Sequence, residues 1–248
     1  MSQSPHTLTP GYEDEKPGHH WKEADRVQDY VARRTANPDE RAEQFKLMAR
    51  LAPALTGQPP ATILDLGAGF GAVAAAMLEA FPTATAVLLD MSEEMMRVGE
   101  EKMAPFAGRY RYVAWDMGEG TLPADLGSFD LIVSSAAIHH LPPPQMERLY
   151  NGIGAHLNPG GCFVNLDIVG GRSDGIDHVY EAMEAARRAA KGEPERQPEA
   201  GVTHVHAVHT KVYPVEEQLR WLDAGGLQAE CFFKRLGFAL FGGFKPLA

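Results

Sequence analysis

Short apolar runs alternate with amphipathic stretches through most of the chain. The runs ATILDL, TAVLLD, RYRYVAWD, SFDLIVSS and GCFVNLDIV predict five strands. Between them GAVAAAMLEAF, SEEMMRVGEEKM and PQMERLYNGIGAHL predict helices, with Ser92 capping the second and Asn158-Pro159-Gly160 ending the third. Nearly continuous apolar strands separated by helices are typical of a parallel sheet covered on both faces, so the pattern predicts an α/β fold with a doubly wound sheet.

Residues 1–57 do not follow this alternation of strands and helices. Residues 1–20 are rich in Pro, Gly, His and acids without an apolar period, which predicts a flexible arm. Residues 21–57 predict a helical cap of two helices. The second helix carries apolar residues at steps of three and four, with Asn37 as cap, Pro38 in the first turn and Gly57 at its end.

The alternation lapses between Gly170 and Tyr213, which we interpret as an insertion or lid at about 170–213 in a main domain of residues 58–248. Within the insertion GIDHVYEAMEAARRAA predicts a helix with Ile176, Val179, Tyr180 and Met183 on one stripe. The end of the chain predicts a helix, VEEQLRWLDAGG, and two closely spaced strands, LQAECFFK and FALFGG. Their closeness indicates a hairpin, so we expect a mostly parallel seven-stranded sheet whose last strand is antiparallel.

Composition narrows the class of protein. The 248 residues carry 23 basic and 33 acidic side chains, a net charge of −10, which argues against binding to nucleic acid or an anionic membrane through overall charge. A local basic groove is still compatible with that total. The two cysteines, Cys162 and Cys231, lie in apolar runs and are expected to be buried free thiols. Without a signal-like or membrane-spanning segment, the chain is expected to be cytoplasmic.

The segment Asp65-Leu66-Gly67-Ala68-Gly69-Phe70-Gly71-Ala72 lies where the first strand passes into the first helix. Glycines at such a turn let the backbone approach a ligand closely. The string satisfies both GxGxG and the GxGxxG/A fingerprint of dinucleotide sites, and Asp90 follows at the end of the second strand, where an acid can accept from ribose hydroxyls. The turn alone therefore leaves a nicotinamide cofactor and S-adenosylmethionine as alternatives.

Two further features favour S-adenosylmethionine. Asp65 stands beside the turn, where its carboxylate would repel a pyrophosphate but could hold an ammonium group. Asp116 and Met117 close the third strand, where the acid can accept from an adenine amine while Met117 and Met91 offer apolar faces to the ring.

The chain from about Ile63 to Leu166 resembles the class I S-adenosylmethionine-dependent methyltransferases, notably bacterial small-molecule enzymes. The resemblance rests on ILDLGAGFG, LLDMS, WDM, FDLIVSSAAIHHL and LNPGGCF, in that order. It implies a Rossmann-like methyltransferase domain over residues 58–248. Around the cofactor it implies roles for the following residues: Asp65, Gly67, Ala68, Gly69 and Gly71 at the methionine moiety, Asp90 at the ribose, Met91, Asp116 and Met117 at the adenine, and the backbone near Ser134 at the methionine amine. Many relatives carry cysteine where this chain has Ala68, but alanine is also common there.

His139 and His140 follow the fourth strand, at the edge of the sheet where ligands bind. His139 is our candidate catalytic residue, as a base or an acceptor-orienting group, with packing as the alternative; for His140 we favour packing at the start of the next helix. Asp167 at the end of the fifth strand is a further acceptor-pocket candidate, with a surface turn as the alternative.

The remaining candidates lie outside these motifs. His204, His206 and His209 have a spacing that resembles a metal site, but a straight strand would put His209 on the opposite face, so no metal is predicted and contact with the acceptor is favoured. Trp21 and Tyr30 could close over the cofactor or simply pack.

Methyl transfer from a sulfonium needs alignment and exclusion of water, and a base only for an acceptor that must lose a proton. We therefore expect a methyltransferase with a small-molecule acceptor and no membrane partner; the oligomeric state is left open. The alternatives are a methyltransferase acting on tRNA or protein, an NAD(P)-dependent oxidoreductase, and a cofactor-binding protein without turnover. The net charge and the lack of a dense Lys/Arg run count against tRNA.

Overall fold

The computed structural model describes residues 24–35, 38–192 and 212–247. The predicted arm over residues 1–20, Trp21, the capping role of Asn37 and the three histidines of VTHVHAVHT lie outside the described residues. Both predicted N-terminal helices are present, α1 (Ala24–Thr35) and α2 (Pro38–Thr56). Gly57 ends α2 in the left-handed region (φ +77°), with its N–H donating to the carbonyl of Pro53 at 2.9 Å.

The main domain then alternates as the apolar pattern predicts. Its elements are β1 (Thr62–Leu66), α3 (Ala72–Ala80), β2 (Thr85–Asp90), α4 (Glu93–Lys102), β3 (Tyr110–Ala114), β4 (Phe129–Ser135), α5 (Pro143–Ile153), β5 (Leu157–Ile168), α6 (Asp174–Ala190), α7 (Val215–Ala224), β6 (Gln228–Arg235) and β7 (Phe238–Phe244). The predicted cap of α4 is confirmed, because Ser92 Oγ accepts from the N–H of Met95 at 3.2 Å.

The seven strands form one sheet in the order β3-β2-β1-β4-β5-β7-β6. Strands β1 to β5 are parallel, and β7 is inserted antiparallel between β5 and β6. The doubly wound, mostly parallel sheet with an antiparallel last strand is therefore confirmed. From β1 the sheet continues through β2 and β3 in one direction and through β4 and β5 in the other, so the topological switch point lies between β1 and β4. Open α/β sheets bind ligands at such a point, at the carboxyl ends of the strands.

The two faces of the sheet are covered by separate apolar layers. One layer packs α2 and α3 on the sheet, with Met48 and Met77 fully buried. The other packs α5 and α7 on the opposite face, around Tyr150 and Leu222. Because α2 belongs to the same layer as α3, its amino-terminal end is held above the carboxyl edge of β1.

The start of β5 differs from the sequence-based prediction. The helix preceding it ends at Ile153, a 3-10 turn follows over Gly154–His156, and β5 begins at Leu157, so that Asn158-Pro159-Gly160 lies inside the strand. Tertiary contacts hold this segment extended: Asn158 Nδ2 donates to Asp130 Oδ1 at 2.7 Å, and the Gly160 N–H donates to the carbonyl of Lys245 at 3.0 Å.

Cys162 is buried as predicted, whereas Cys231 is only half-buried; both are free thiols. Among the described residues, no helix combines the length and apolar character needed to cross a membrane.

Candidate active site

The glycine turn between β1 and α3 forms one wall of a cavity at the switch point. Gly67, Gly69 and Gly71 adopt φ values of +65°, +54° and +82°, a backbone region that residues other than glycine rarely adopt. At Gly67 a Cβ would also lie 2.5 Å from the Cβ of Ala137. The turn bonds to its own surroundings: the N–H of Ala68 donates to the Leu89 carbonyl at 3.0 Å, and that of Gly71 to the Ala68 carbonyl at 2.9 Å.

Asp65 lies beneath this turn with no exposed surface. Its Oδ2 accepts from the N–H of Ala74 in the first turn of α3 at 3.1 Å, while its Oδ1 has no protein partner. Burial, together with a smaller contribution from the nearby Asp90 carboxylate, raises the pKa of Asp65 to about 7 despite the lowering effect of the Ala74 N–H. The amino terminus of α3 is thus already associated with an acidic side chain.

Asp90 closes β2 and binds the turn from the other side. Its Oδ2 accepts from the Gly69 N–H at 2.7 Å, and its Oδ1 accepts from the Ser92 N–H at 2.8 Å. Burial raises the pKa of Asp90 despite these backbone donors. Each carboxylate oxygen has one further lone-pair direction, so Asp90 can accept from a ligand without breaking either bond.

The end of β3 supplies the next part of the wall. Asp116 Oδ1 accepts from the Gly118 N–H at 2.8 Å and begins a short 3-10 turn, which holds Met117 beside the glycine turn. Trp115, before it, is buried, and its indole N–H has no partner within the described structure.

The cavity contains about 960 Å³ of empty space, including its open mouth. Of the residues predicted for the site it is lined by Tyr30, Gly67, Ala68, Gly69, Asp90, Met91, Asp116, Met117 and His140. Asp65, Gly71, Ser134 and His139 do not line it. Asp65 and Gly71 lie behind the wall.

At the end of β4, the residues after Ser134 form the wall. Ser134 is fully buried, and its hydroxyl donates to the Leu66 carbonyl at 2.8 Å, so it joins β4 to β1. Ser135, Ala136 and Ala137 line the cavity instead. Ala136 adopts φ +52°, an unusual value for a residue with a Cβ, and its N–H donates to the Leu166 carbonyl at 3.0 Å. The Ser135 hydroxyl is buried without a protein partner.

The two histidines after β4 have different positions from those we expected. His140 lines the cavity, whereas His139 pairs with Asp167 behind it: His139 Nδ1 lies 2.6 Å from Asp167 Oδ1, and the His139 N–H donates to Asp167 Oδ2 at 3.1 Å. Asp167 is 1% exposed, so it belongs to a buried pair and not to a surface turn. The rings of His139 and His140 lie 4.0 Å apart between centroids. His140, which lines the cavity, is therefore next to a histidine, His139, that is itself bonded to the Asp167 carboxylate.

Sequence reasoning missed Arg41, Phe45, Trp115 and Ser135, all of which line the cavity. The first two lie on α2 (Pro38–Thr56), and Phe45 belongs to the apolar stripe predicted for that helix. No local motif marks them, because their place in the site follows from how α2 packs on the sheet. Among the described residues, no group of three or more His, Cys, Asp or Glu side chains could hold a metal ion.

The sheet order and the cavity at its switch point define a Rossmann-like protein of the methyltransferase type. Residues 63–161 match a protein family described as a methyltransferase domain. Over these residues the chain carries a methyltransferase domain, in agreement with its resemblance to the class I S-adenosylmethionine-dependent methyltransferases.

Among similar proteins, a trans-aconitate 2-methyltransferase of Deinococcus radiodurans is 37% identical over 135 residues, 51% of this chain and 47% of that protein. A malonyl-[acyl-carrier protein] O-methyltransferase of Methylococcus capsulatus is 36% identical over 169 residues, 66% of this chain and 52% of that protein. The chain thus spans about half the length of these curated relatives.

Similarity to solved structures extends over more of the chain. An O-methyltransferase family protein from Burkholderia thailandensis superposes with a TM-score of 0.62 at 15% identity, covering 92% of this chain and 64% of that one. At this identity the similarity concerns the fold.

Proposed function

We propose that this protein transfers a methyl group from S-adenosylmethionine to a small-molecule acceptor by in-line displacement. The observation that carries the proposal is the glycine turn, where N–H groups are already bonded within the protein, which disfavours a pyrophosphate. In dinucleotide sites the pyrophosphate binds bare N–H groups at the turn and the helix amino terminus. Here the N–H groups of Ala68, Gly69 and Gly71 already donate within the protein, and Asp65 accepts from the first turn of α3.

The residues present fit an adenosyl group. Asp90 keeps acceptor capacity for ribose hydroxyls, and Asp116 keeps it for an exocyclic amine. Met91, Met117 and Leu141 supply apolar lining for a ring, and the unpartnered Trp115 N–H and Ser135 hydroxyl are polar atoms that a ligand can satisfy.

When bound, S-adenosylmethionine supplies an electrophilic methyl group on a sulfonium. What this chain must do is align an acceptor atom with that methyl group and exclude water. We assign the alignment to four lining residues that lie outside the glycine turn and outside the proposed ribose and adenine sites, namely Tyr30, Arg41, Phe45 and His140.

We further propose that the acceptor is a carboxylic acid. Arg41 is the only lysine or arginine among the described residues that line the cavity, and a guanidinium suits a carboxylate. The names of the two relatives above include trans-aconitate and malonyl groups, both carboxylic acids. A carboxylate attacks the methyl carbon without losing a proton: the new C–O bond forms as the C–S bond breaks, and the products are an ester and a neutral thioether.

His139 and Asp167 matter in this proposal chiefly if the acceptor is a hydroxyl. Asp167 holds His139 with its Nδ1 toward the carboxylate, so the other ring nitrogen is the one available to take a proton, directly or through His140. A carboxylate acceptor needs no such step, which makes the two acceptor classes distinguishable.

The test is an assay by mass spectrometry of purified protein with S-adenosylmethionine and a panel of carboxylic acids, including trans-aconitate, and phenols. We expect methyl esters of one or more acids, strongly reduced in Arg41→Met and partly restored in Arg41→Lys, with His139→Gln still active. Products only from hydroxyl acceptors, lost in His139→Gln, would contradict the carboxylate proposal while supporting methyl transfer.

Arg41 could also bind the carboxylate of the cofactor itself. Affinities of wild type and Arg41→Met for S-adenosylhomocysteine and for 5′-methylthioadenosine, which lacks the amino-acid portion, separate the two. Selective weakening of S-adenosylhomocysteine by ten-fold or more would assign Arg41 to the cofactor, and equal affinities would assign it to the acceptor.

The alternatives have less support. A single Arg among the described lining residues and a net charge of −10 do not favour a tRNA acceptor. The turn N–H groups that already donate within the protein do not favour NAD(P).

A further inference from the structure

The cavity wall that follows β4 is a short segment, residues 135–141, which leaves the sheet at its first residue. The cavity is lined by Ser135, Ala136, Ala137, His140 and Leu141 of this segment. The chain turns at Ala136 and then forms a single 3-10 turn, Ile138–His140. So short a turn is only marginally stable by itself, because few internal hydrogen bonds hold it. The position of the 135–141 wall must therefore come from bonds to the rest of the protein.

Asp167, at the end of β5, makes two bonds to this wall. Its Oδ2 accepts from the backbone N–H of His139 at 3.1 Å, and its Oδ1 lies 2.6 Å from His139 Nδ1. Oδ1 also accepts from the backbone N–H of Ile168 at 2.8 Å. When the His139 proton is on Nδ1, three donors converge on one side chain. Only a carboxylate accepts on both oxygens, so neither an amide nor an apolar side chain at position 167 could satisfy all three.

A further bond joins the same strand to the start of the wall. The N–H of Ala136 donates to the carbonyl of Leu166 at 3.0 Å. Residues 136 and 139 of the wall are thus bonded to two successive residues of β5, Leu166 and Asp167. Both are buried in a strand that has neighbours on either side, so they give the wall a rigid base.

On its other side the wall lies directly against the glycine turn. A Cβ on Gly67 would lie 2.5 Å from the Ala137 Cβ and 3.0 Å from the Met117 Cε. His140 follows His139 in the wall, and the centroids of their rings lie 4.0 Å apart. A shift at His139 would therefore move two cavity-lining residues, Ala137 and His140, relative to the glycine turn. Misplacement by about 1 Å is enough to impair an aligned site.

We infer that Asp167 is a positioning residue for the cavity: through the backbone N–H of His139 it holds the 135–141 wall against the glycine turn. This role rests on the proposed function only in assigning S-adenosylmethionine to the cavity, and it applies to a carboxylate and to a hydroxyl acceptor alike. The backbone bond is the essential one, because it fixes the turn whatever side chain residue 139 carries. Asp167 acts from behind, since it is not among the residues that line the cavity.

The test compares Asp167→Ala with two matched variants. His139→Gln removes the imidazole but keeps the backbone N–H that Asp167 binds. Asp130→Ala removes another acid that accepts two backbone N–H groups, those of Ala61 and Thr62, at the opposite edge of the sheet. Calorimetric titration gives the affinity for S-adenosylhomocysteine. Hydrogen exchange with mass spectrometry on the ligand-free proteins gives the protection of the backbone amides.

We expect Asp167→Ala to weaken binding of S-adenosylhomocysteine by about ten-fold or more, because a buried N–H loses a charged acceptor. Exchange at residues 136–141 should become faster while residues 131–133 of β4 stay protected. Binding by His139→Gln and Asp130→Ala should remain within about three-fold of wild type. Asp167→Asn keeps one acceptor oxygen, so its affinity and exchange should fall between those of wild type and Asp167→Ala. It replaces Asp167→Ala in the comparison if that variant does not fold.

Wild-type affinity and slow exchange at residues 136–141 in Asp167→Ala would overturn the inference. So would a loss of binding in His139→Gln as large as that in Asp167→Ala, because the effect would then come from the ring. Faster exchange throughout the sheet in Asp167→Ala would also contradict it, since Asp167 would then serve overall stability. If wild type does not bind S-adenosylhomocysteine, the proposed function fails, and exchange in the ligand-free variants still decides whether Asp167 holds the wall.

Discussion

Asp65 is a fully buried acid beside a ligand cavity, and its ionisation links folding to pH. Its pKa is about 7 in the folded protein and near 3.8 when exposed to water, so the folded state holds the proton more tightly between these values. The contribution of Asp65 to stability is therefore fully present below about pH 4 and is lost as pH rises through 7.

Asp65→Asn removes this titration while keeping an oxygen for the Ala74 N–H. We expect the free energy of unfolding of the variant, relative to wild type, to increase by up to the order of 4 kcal/mol between pH 4 and pH 8. Urea unfolding at several pH values measures the difference. Parallel pH profiles for the two proteins would show that Asp65 has an ordinary pKa.

Asp90 joins the glycine turn to the proposed ribose site. Asp90→Ala should weaken binding of S-adenosylhomocysteine by roughly 1–3 kcal/mol, because hydrogen bonds to a charged acceptor are lost. Calorimetric titration gives the affinity, and urea unfolding of the same sample controls for loosening of the turn at Gly69. An unchanged dissociation constant would remove Asp90 from the site.

For single residues, the sequence predicted the place of those site residues that lie at the end of a strand. Gly67, Gly69, Asp90 and Asp116 could be located because each stands at a fixed place in a strand-turn-helix unit. Arg41 and Ser135 could not, since one reaches the cavity through packing of α2 and the other through the unusual backbone at Ala136. The positions of His139 and His140 depend likewise on which ring turns toward Asp167, which a string of two histidines does not encode.

Gly99 of α4 leaves room for the Tyr112 side chain, which contacts the glycine turn of the cavity. A Cβ on Gly99 would overlap the Tyr112 hydroxyl, which donates to the Gly69 carbonyl at 3.1 Å. The close approach of α4 to β3 therefore sustains the glycine turn.

Gly99→Ala should destabilise the fold by about 1–3 kcal/mol through overpacking, and it should weaken cofactor binding through Gly69. Gly152→Ala in α5 is the control: nothing lies within 4 Å of the added Cβ, so the better helix propensity of alanine should stabilise by about 0.5–1 kcal/mol. Thermal and urea unfolding compare the pair. If both variants gain stability, the contact between Gly99 and Tyr112 is looser than described.

At the scale of helices and strands, the spacing of apolar residues along the chain predicted which elements are present. Where an element begins or ends depends also on tertiary contacts. The start of β5 at Leu157 depends on Asp130 and Lys245, which are distant in sequence. The stripe on α6 was predicted as a helical face, but its period says nothing about whether that face turns toward the sheet or away from it.

For the whole molecule, the alternation of strands and helices was sufficient to predict a doubly wound sheet, and the closing hairpin predicted the antiparallel strand. Strand order and the packing of α2 beside α3 emerge only in three dimensions, and these two features together enclose the cavity. The net charge can also be described locally: the charged residues among the described lining of that cavity are two acids, Asp90 and Asp116, and one arginine, Arg41.

The central claim is that the cavity binds an S-adenosyl cofactor. Calorimetric titration of the purified chain with S-adenosylhomocysteine and, separately, with NADH tests it most directly. The account predicts saturable one-site binding of S-adenosylhomocysteine, weakened in Asp90→Ala, and no measurable binding of NADH. Binding of NADH without S-adenosylhomocysteine would contradict it.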